Sequence, residues 1–452
     1  MTTVEKVKEI AHAIARAGGR TMLAGGCVRD SILNIPVKDF DLEVYRMDSR
    51  SLLDTLKNIC EVDAVGMSFG VLKVKHFDID IALPRKENKS GAGHRGFIVE
   101  VSPEMDFADA ASRRDFTINA IMQDAITGEI IDPWHGQKDL QNRVLRHVSP
   151  AFTEDPLRVL RGMQFIARFD LTADNETVQL CSTLSQDELP IERLSAEWEK
   201  LLLKGINISA GLNFLRDCRW IRYYPALEAL TACPQDPRWH PEGSVWNHTL
   251  KVTDAAAAMR DGSPDDLILM LAALCHDFGK PACTVIQSDG RITSCGHDTF
   301  LEPAEKFISS IWRRKDLPEK VLPLIAHHMH PWQLVENDAS DKAFRKLALQ
   351  TGNTGLLAKI ARADVMGIDG SKENLARQLH NIELFSQRCH ALAIADAAPK
   401  PLILGRHLLQ YGMKPGKDFK PLLDACFEAQ LSGEFADLPG ALNYLDKLLC
   451  GK

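Results

Sequence analysis

No stretch of these 452 residues approaches the apolar length needed to cross a bilayer, so a membrane-spanning role is not expected. The N-terminal MTTVEKVKEIAHAIARAGG reads as a charged amphipathic helix and lacks the apolar centre of a signal peptide. Eleven cysteines are present, but none form a CxxC pair or a regular spacing. That argues against a disulfide framework or a zinc ribbon and favours a reducing, cytoplasmic setting. Low-complexity segments and internal repeats are also missing. Basic residues are in deficit, with 54 Lys and Arg against 61 Asp and Glu and a net charge of −7. A nucleic-acid binder usually shows a basic footprint, so the global charge counts against RNA as a substrate. Charge is local, however. The stretch 143–168 carries Arg143, Arg146, Arg158, Arg161 and Arg168 against only Glu154 and Asp155, a basic neck suited to tracking a phosphate backbone.

At 45% hydrophobic and 25% charged residues, the composition is that of an ordinary globular chain, long enough for two to four domains. The first 140 residues alternate helical and strand patterns. TMLAGG and FDLEVY read as strands, SRSLLDTLKNIC as a helix, and VLKVKHFDIDIALP as two strands turning at His76-Phe77. Beyond residue 150 helical periodicity dominates, broken most clearly by CPQDPRWHPEG at 233–243. The fold class is therefore α+β, a small mixed α/β head followed by a mostly helical remainder. Boundaries are expected at 1–140 for the head, 141–235 for a helical neck and body, 236–390 for a further helical domain and 391–452 for a helical C-terminal region without a motif.

The richest segment is LAGGCVRDSILNIPVKDFDLEVY. A strand points alternate side chains to one face, so Asp39 and Asp41 are expected to project together. Two such carboxylates suit Mg²⁺, which favours a few carboxylates plus substrate phosphates. Upstream, Gly25 and Gly26 open a turn whose bare amides can approach a triphosphate, and Arg29 adds a fixed positive charge. These parts fit phosphoryl or nucleotidyl transfer, in which the enzyme positions groups and neutralises charge. The strand FDIDIALPR offers Asp78 and Asp80, again on one face.

Two later segments, RRDFTINAI (113–121) and EDPLRVLR (154–161), follow in an order that carries a resemblance. From about residue 22 to about residue 230 the chain resembles the class II tRNA nucleotidyltransferases, the CCA-adding enzymes and their poly(A) polymerase relatives of the DNA polymerase β superfamily. The resemblance implies a polymerase-β-like head in which Asp80 is the third carboxylate, activating the incoming hydroxyl. It implies triphosphate contacts from Arg113, Arg114 and Arg161, and contacts to the sugar and nearby backbone from Asp115 and Asn119. Bidentate arginines match phosphate oxygens as lysine cannot. DPWHGQKDLQNRVLR (132–146) resembles the hinge between head and neck, with Asp139 and Arg146 at the expected places. In EDPLRVLR, Asp155 and Arg158 are expected as neighbours on one helix face. Their acceptor and donor would read the edges of cytosine or adenine and reject guanine and uracil.

The segment RKENKSGAGHRGF (85–97) reads as a mobile loop like the one that helps the family switch from CTP to ATP, and it argues against a CC-only enzyme. Two departures stand out. Gln164 stands where many relatives carry an arginine, and Trp198 replaces the usual basic residue beside Arg193 and Glu197. The reaction implied is template-independent CCA addition to tRNA 3′ ends from CTP and ATP, with Mg²⁺ and without DNA. The alternatives are an A-adding enzyme of a split system or a bacterial poly(A) polymerase.

Farther on, WHPEGSVWNHTLKV supplies His248, LAALCHDFGKP supplies His276 and Asp277, and ARADVMGID supplies Asp364. This pattern, over roughly 239–370, resembles an HD-superfamily phosphohydrolase. Imidazoles with carboxylates suit a divalent transition metal such as Ni²⁺ or Mn²⁺, whose water attacks a phosphate. The resemblance implies phosphatase and 2′,3′-cyclic phosphodiesterase activity. His297 and the trio His327, His328 and His330 are left as candidates for a second metal or for the substrate phosphate.

Overall fold

The computed structural model describes residues 1–63, 71–89, 97–187 and 189–450, which fold as two compact units. The first comprises Met1–Glu197 with Ala210–Trp220 and is built on a mixed sheet. Its strands are β1 (Arg20–Ala24), β2 (Phe40–Tyr45), β3 (Val62–Asp63), β4 (Val71–Val74), β5 (Ile79–Ala82), β8 (Met122–Asp124) and β9 (Ile130–Ile131), in spatial order β3-β4-β5-β2-β1-β8-β9. Between β5 and β8 in the chain, β6 (Arg85–Lys89) and β7 (Phe97–Val101) pair as a separate antiparallel hairpin. Both ends of the segment expected as a loop are therefore strands. The rest of that segment, 90–96, lies outside the described residues.

Alternation along the strands sets the two faces of the sheet. Phe40, Leu42 and Val44 of β2, with Ile79 and Ile81 of β5, are buried in one core. Helix Thr3–Arg16 covers that core with Val7, Ile10 and Ile14, an i, i+3, i+7 stripe. Helix Ser49–Lys57 adds Leu52 and Leu56. Each such side chain contributes roughly 1.5–3 kcal/mol when fully buried. Both helices begin at clear stops. Thr2 makes a reciprocal capping box with Glu5, and Asp48 accepts from the amides of Arg50 and Ser51. The residues between the buried ones on β2, Asp41 and Glu43, are left on the other face, and that face carries the chemistry.

The second unit, Trp198–Ser209 with Ile221–Lys452, is almost wholly helical. At its centre helix Asp266–Cys275 (DLILMLAALC) is buried along its entire length, as expected of a helix apolar on every side. Trp198 belongs to this unit's interior. Its indole donates to the Tyr224 hydroxyl at 3.0 Å and its ring meets Tyr224 and Phe307 edge-on. That explains an aromatic residue where a basic one was expected. Residues 403–445 close around a separate cluster that includes Ile403, Leu408, Leu422, Phe435 and Leu445. The C-terminal region is helical, as the sequence indicates. Among the described residues no helix is long and apolar enough to cross a membrane.

Candidate functional site

Two constellations emerge, one in each unit. In the first, parallel pairing of β2 with β5 sets Asp41 directly beside Asp80. Asp39 lies just before β2 and Asp78 just before β5, so the strand alternation proper begins one residue after each of them. Burial raises the Asp41 carboxyl above its usual range, and the charges of Asp80 and Asp39 add to this against the opposing pull of Arg114. A cluster of three neighbouring carboxylates that raises its own central member is a fitting donor set for a divalent cation.

Next to this cluster, Gly25 takes φ +75°, and a Cβ there would stand 3.0 Å from Arg114 Nη1 and 3.7 Å from Asp41 Oδ2. Glycine is needed for the backbone angle and for the close approach alike. The Arg114 guanidinium reaches Glu43 at 3.1 Å through Nη2 and donates to the Asn119 carbonyl at 3.3 Å. Glu43, two residues beyond Asp41 on the same face, was passed over in the sequence although the period-2 alternation pointed to it. Asp41, Glu43, Asp80, Arg85, Arg113 and Arg114, together with Glu154, Asp155 and Arg158, line one open cleft of about 500 Å³.

Not every residue expected at the triphosphate lines that cleft. Arg29 is 4% exposed; it donates to Asn119 Oδ1 at 2.6 Å, pairs with Asp30 and stacks over Phe169 and Phe165. Asn119 in turn donates to Asp115, and Asp115 accepts from Arg161 at 2.7 Å and 2.6 Å. Burial on its own would raise Asp115; the Arg161 charge and hydrogen bonds from Asn119, Arg161 and the Phe116 amide outweigh it and hold the carboxyl low. Arg29, Asn119, Asp115 and Arg161 thus form a continuous polar network beneath the cleft. Gly26 sits beside it, with its missing Cβ position 3.6 Å from Arg29.

Asp155 and Arg158 do line the cleft together, but not from one helix face. Asp155 is extended (φ −129°, ψ 99°), and the helix begins only at Arg158. Pro156 between them disfavours helical geometry at Asp155, which is why the helical spacing argument fails here. Asp155 accepts from Arg193 at 2.7 Å, and Arg158 donates to the carbonyls of Ala151 (2.9 Å) and Arg113 (2.6 Å). Gln164 is buried and accepts from Arg168 at 3.0 Å. The basic neck is likewise committed internally. Arg143 pairs with Asp170, Arg146 with Asp139 and Asp174, and Arg161 with Asp115. Those five arginines were read as a phosphate-tracking surface; each already has a partner within its own unit.

In the second unit, His276 and Asp277 follow directly on the buried helix Asp266–Cys275, which explains their depth at 0% and 1% exposure. His248 comes from helix Val245–Ala257, capped by Ser244, and Asp364 from helix Thr354–Met366, capped by Asn353. All four sequence-expected residues converge. His248 Nε2 lies 2.9 Å from Asp364 Oδ1, and His276 Nε2 lies 3.2 Å from Asp277 Oδ2 and 3.7 Å from Asp364 Oδ1. Burial would lower His248; hydrogen bonding to Asp364 and Glu242 overrides this and pushes it up to about 9. His276 Nδ1 faces the Ala273 carbonyl at 2.8 Å, which leaves Nε2 turned inward without a hydrogen-bond partner. Both Asp277 oxygens also lack a well-directed donor. A buried imidazole nitrogen left without a partner while the opposite ring nitrogen is anchored suits a metal ligand. Sequence reading missed Glu242, whose Oε1 lies 3.0 Å from His248 Nδ1, and Lys280, 2.7 Å from Asp277. Glu242 sits in an irregular segment, where spacing gives no signal.

Comparison with known proteins agrees with this division. Residues 21–146 match the family described as the poly A polymerase head domain, and residues 245–364 match the HD domain. The solved Thermotoga maritima CCA-adding enzyme complexed with tRNA-CCA is 16% identical, with a TM-score of 0.61 over 98% of this chain and 95% of that one. The Bacillus stearothermophilus CCA-adding enzyme in complex with CTP is 18% identical, with a TM-score of 0.61 over 100% of both chains. A further CCA-adding enzyme solved with CTP gives a TM-score of 0.64 at 17% identity, covering 98% and 95%. At such identities the likeness establishes the fold.

Proposed function

From a chain that joins a poly(A) polymerase head domain to an HD domain on the fold of the CCA-adding enzymes, we propose a tRNA nucleotidyltransferase that adds C, C and A to the tRNA 3′ end. CTP and ATP are its substrates, and pyrophosphate is released. The observation that carries this reading is the single cleft lined by Asp41, Asp80, Arg113, Arg114, Asp155 and Arg158. Asp39 and Asp41 would hold Mg²⁺, which supplies charge neutralisation at the phosphates. Arg113 and Arg114 meet the triphosphate oxygens, and the 3′-hydroxyl of the tRNA attacks the α-phosphorus in line. Its proton passes to Asp80 as the bond to pyrophosphate breaks. Asp155 accepts from the exocyclic amine of cytosine or adenine, and Arg158 donates to the adjacent ring nitrogen. Arg193 on Asp155 and the two carbonyls on Arg158 support this reading, because they fix both groups before the nucleotide arrives.

The second unit is, in the same proposal, a phosphohydrolase for RNA 3′ ends carrying a phosphate or a 2′,3′-cyclic phosphate. His248, His276, Asp277 and Asp364 would hold a divalent transition metal, which supplies Lewis acidity at the phosphate ester. The test is phosphate release from 3′-phosphorylated ends and ring opening to the monophosphate on cyclic ones, measured beside labelled CMP incorporation in wild type and His276→Ala. Wild type is expected to do both, and His276→Ala to keep incorporation while losing hydrolysis by at least about a thousandfold. Unchanged hydrolysis in His276→Ala would remove the HD half of the proposal.

A further inference from the structure

Of the arginines expected at the triphosphate, Arg29 and Arg161 are committed to the network beneath the cleft, so that contact falls to Arg113 and Arg114. Arg114 lies in the connection between helix Phe107–Ser112 and the short turn Thr117–Asn119. A long side chain reaching out of a connection samples many rotamers unless something holds it. Glu43 supplies that hold. Its Oε2 accepts from Arg114 Nη2 at 3.1 Å, while Nη1 donates to the Asn119 carbonyl at 3.3 Å. The guanidinium is thereby laid against Gly25, where a Cβ would come within 3.0 Å of Nη1 and 3.7 Å of Asp41 Oδ2. From there its charge acts on Asp41, opposing the rise that burial causes in that carboxyl.

The position of Glu43 suits it to this task. β2 is an interior strand, paired at this residue with Met22 of β1 on one side and Ala82 of β5 on the other. Its backbone is fixed from both sides, and its side chain is half-buried at 14% exposure. Electrostatics alone would not favour a carboxylate there. Beside Asp41 and Asp80 it adds a like charge to a cleft that must admit a triphosphate. The order it imposes on Arg114 offsets that cost.

We propose that Glu43 is a positioning residue for nucleotide addition, holding the Arg114 guanidinium ready for the triphosphate of CTP and ATP alike. A guanidinium ordered in advance loses less freedom when phosphate binds. Its planar fork carries more N–H donors than Glu43 and Asn119 take, so donors remain for phosphate oxygens. The support reaches the phosphates and not the base, so both nucleotides depend on it equally. This inference rests on the reading of the cleft as a nucleotidyltransferase site, and within it Glu43 acts only through Arg114.

The experiment is a double-mutant cycle on the full-length protein, with Glu43→Ala, Arg114→Ala and the two together. Equilibrium binding of CTP and of ATP in Mg²⁺ is measured beside KM and kcat for incorporation into tRNA. Glu43→Ala is expected to raise Kd and KM about tenfold for both nucleotides, the cost of ordering one long side chain, with kcat kept within about threefold. In the Arg114→Ala background the same change is expected to have no further effect. Glu43→Gln keeps an acceptor for Nη2 and is expected to restore most of the loss. An undiminished loss in the Arg114→Ala background overturns the proposal. So does tighter binding in Glu43→Ala, which would make the carboxylate a competitor of phosphate for Arg114. A lower kcat with a raised Mg²⁺ requirement would make Glu43 a cation ligand and overturn it as well. Glu43→Thr, which fits a strand but cannot reach Arg114, runs through the same cycle and decides the matter if alanine disturbs the fold. Wild type that binds both nucleotides without extending tRNA overturns the function proposed for the cleft and leaves this inference to the binding data. Wild type that binds neither overturns both.

Discussion

Replacing Asp41 with alanine is expected to lower nucleotide incorporation by about 10⁴-fold while leaving the protein folded. Asp41 lies on the face of β2 opposite the hydrophobic core, in the cleft, so its side chain takes no part in the core packing. Removing a carboxylate that stands beside Asp80 also relieves like-charge repulsion, so stability is expected to hold or rise slightly. Activity responds differently, because a carboxylate that positions a cation contributes several kcal/mol at the transition state, and about 5 kcal/mol is near four factors of ten. Asp41→Asn separates charge from shape and is expected to lose nearly as much as alanine. Single-turnover incorporation of labelled CMP measures the effect, and circular dichroism checks the fold. A loss below about tenfold in both variants would remove Asp41 from the chemistry.

Arg161→Ala is expected to destabilise the first unit by roughly 3 kcal/mol, the low end for breaking a buried ion pair, because Arg161 keeps some access to water. The cost arises at Asp115, which is 7% exposed and is left charged without its principal partner. Asp115→Asn in the same chain is expected to recover part of that loss, since a neutral amide carries no stranded charge. The pH dependence follows from the lowered Asp115 carboxyl. The unfolded chain binds the proton more readily than the folded one, so the pair's contribution is complete above the ordinary aspartate range, roughly pH 4, and is lost as pH falls through the lower folded value. Arg161→Ala is expected to lack this acid-side loss. Chemical denaturation at neutral and acid pH measures both effects. Equal destabilisation at both pH values would mean that the network does not depend on the Asp115 charge.

Much of this was legible in the sequence because the relevant periodicities are short. Alternation in FDLEVY and FDIDIALP gave the strands that set Asp41 beside Asp80, and the motif LAALCHDFGKP gave the adjacent His276 and Asp277. In several of the misses partners distant in sequence decided the outcome, and at Asp155 the neighbouring Pro156 acts as well. Arg29 reads as a positive charge for the triphosphate, but Asn119, 90 residues on, takes its guanidinium. Asp155 reads as helical until Pro156 and Arg193 hold it extended. Three of the five neck arginines, Arg143, Arg146 and Arg161, read as part of a basic stripe until Asp170, Asp139, Asp174 and Asp115 pair with them. A local charge count has no access to such pairs.

The most direct test of the central claim uses three tRNAs, ending before the first C of the terminal triplet, after it, and after CC. Each is incubated with labelled CTP or ATP and Mg²⁺, and the products are sequenced. Completion of C, C and A, ending at A, on all three is the predicted result. Addition of A alone and only to the CC-ended tRNA, or growth of a run of A beyond one residue, would contradict it.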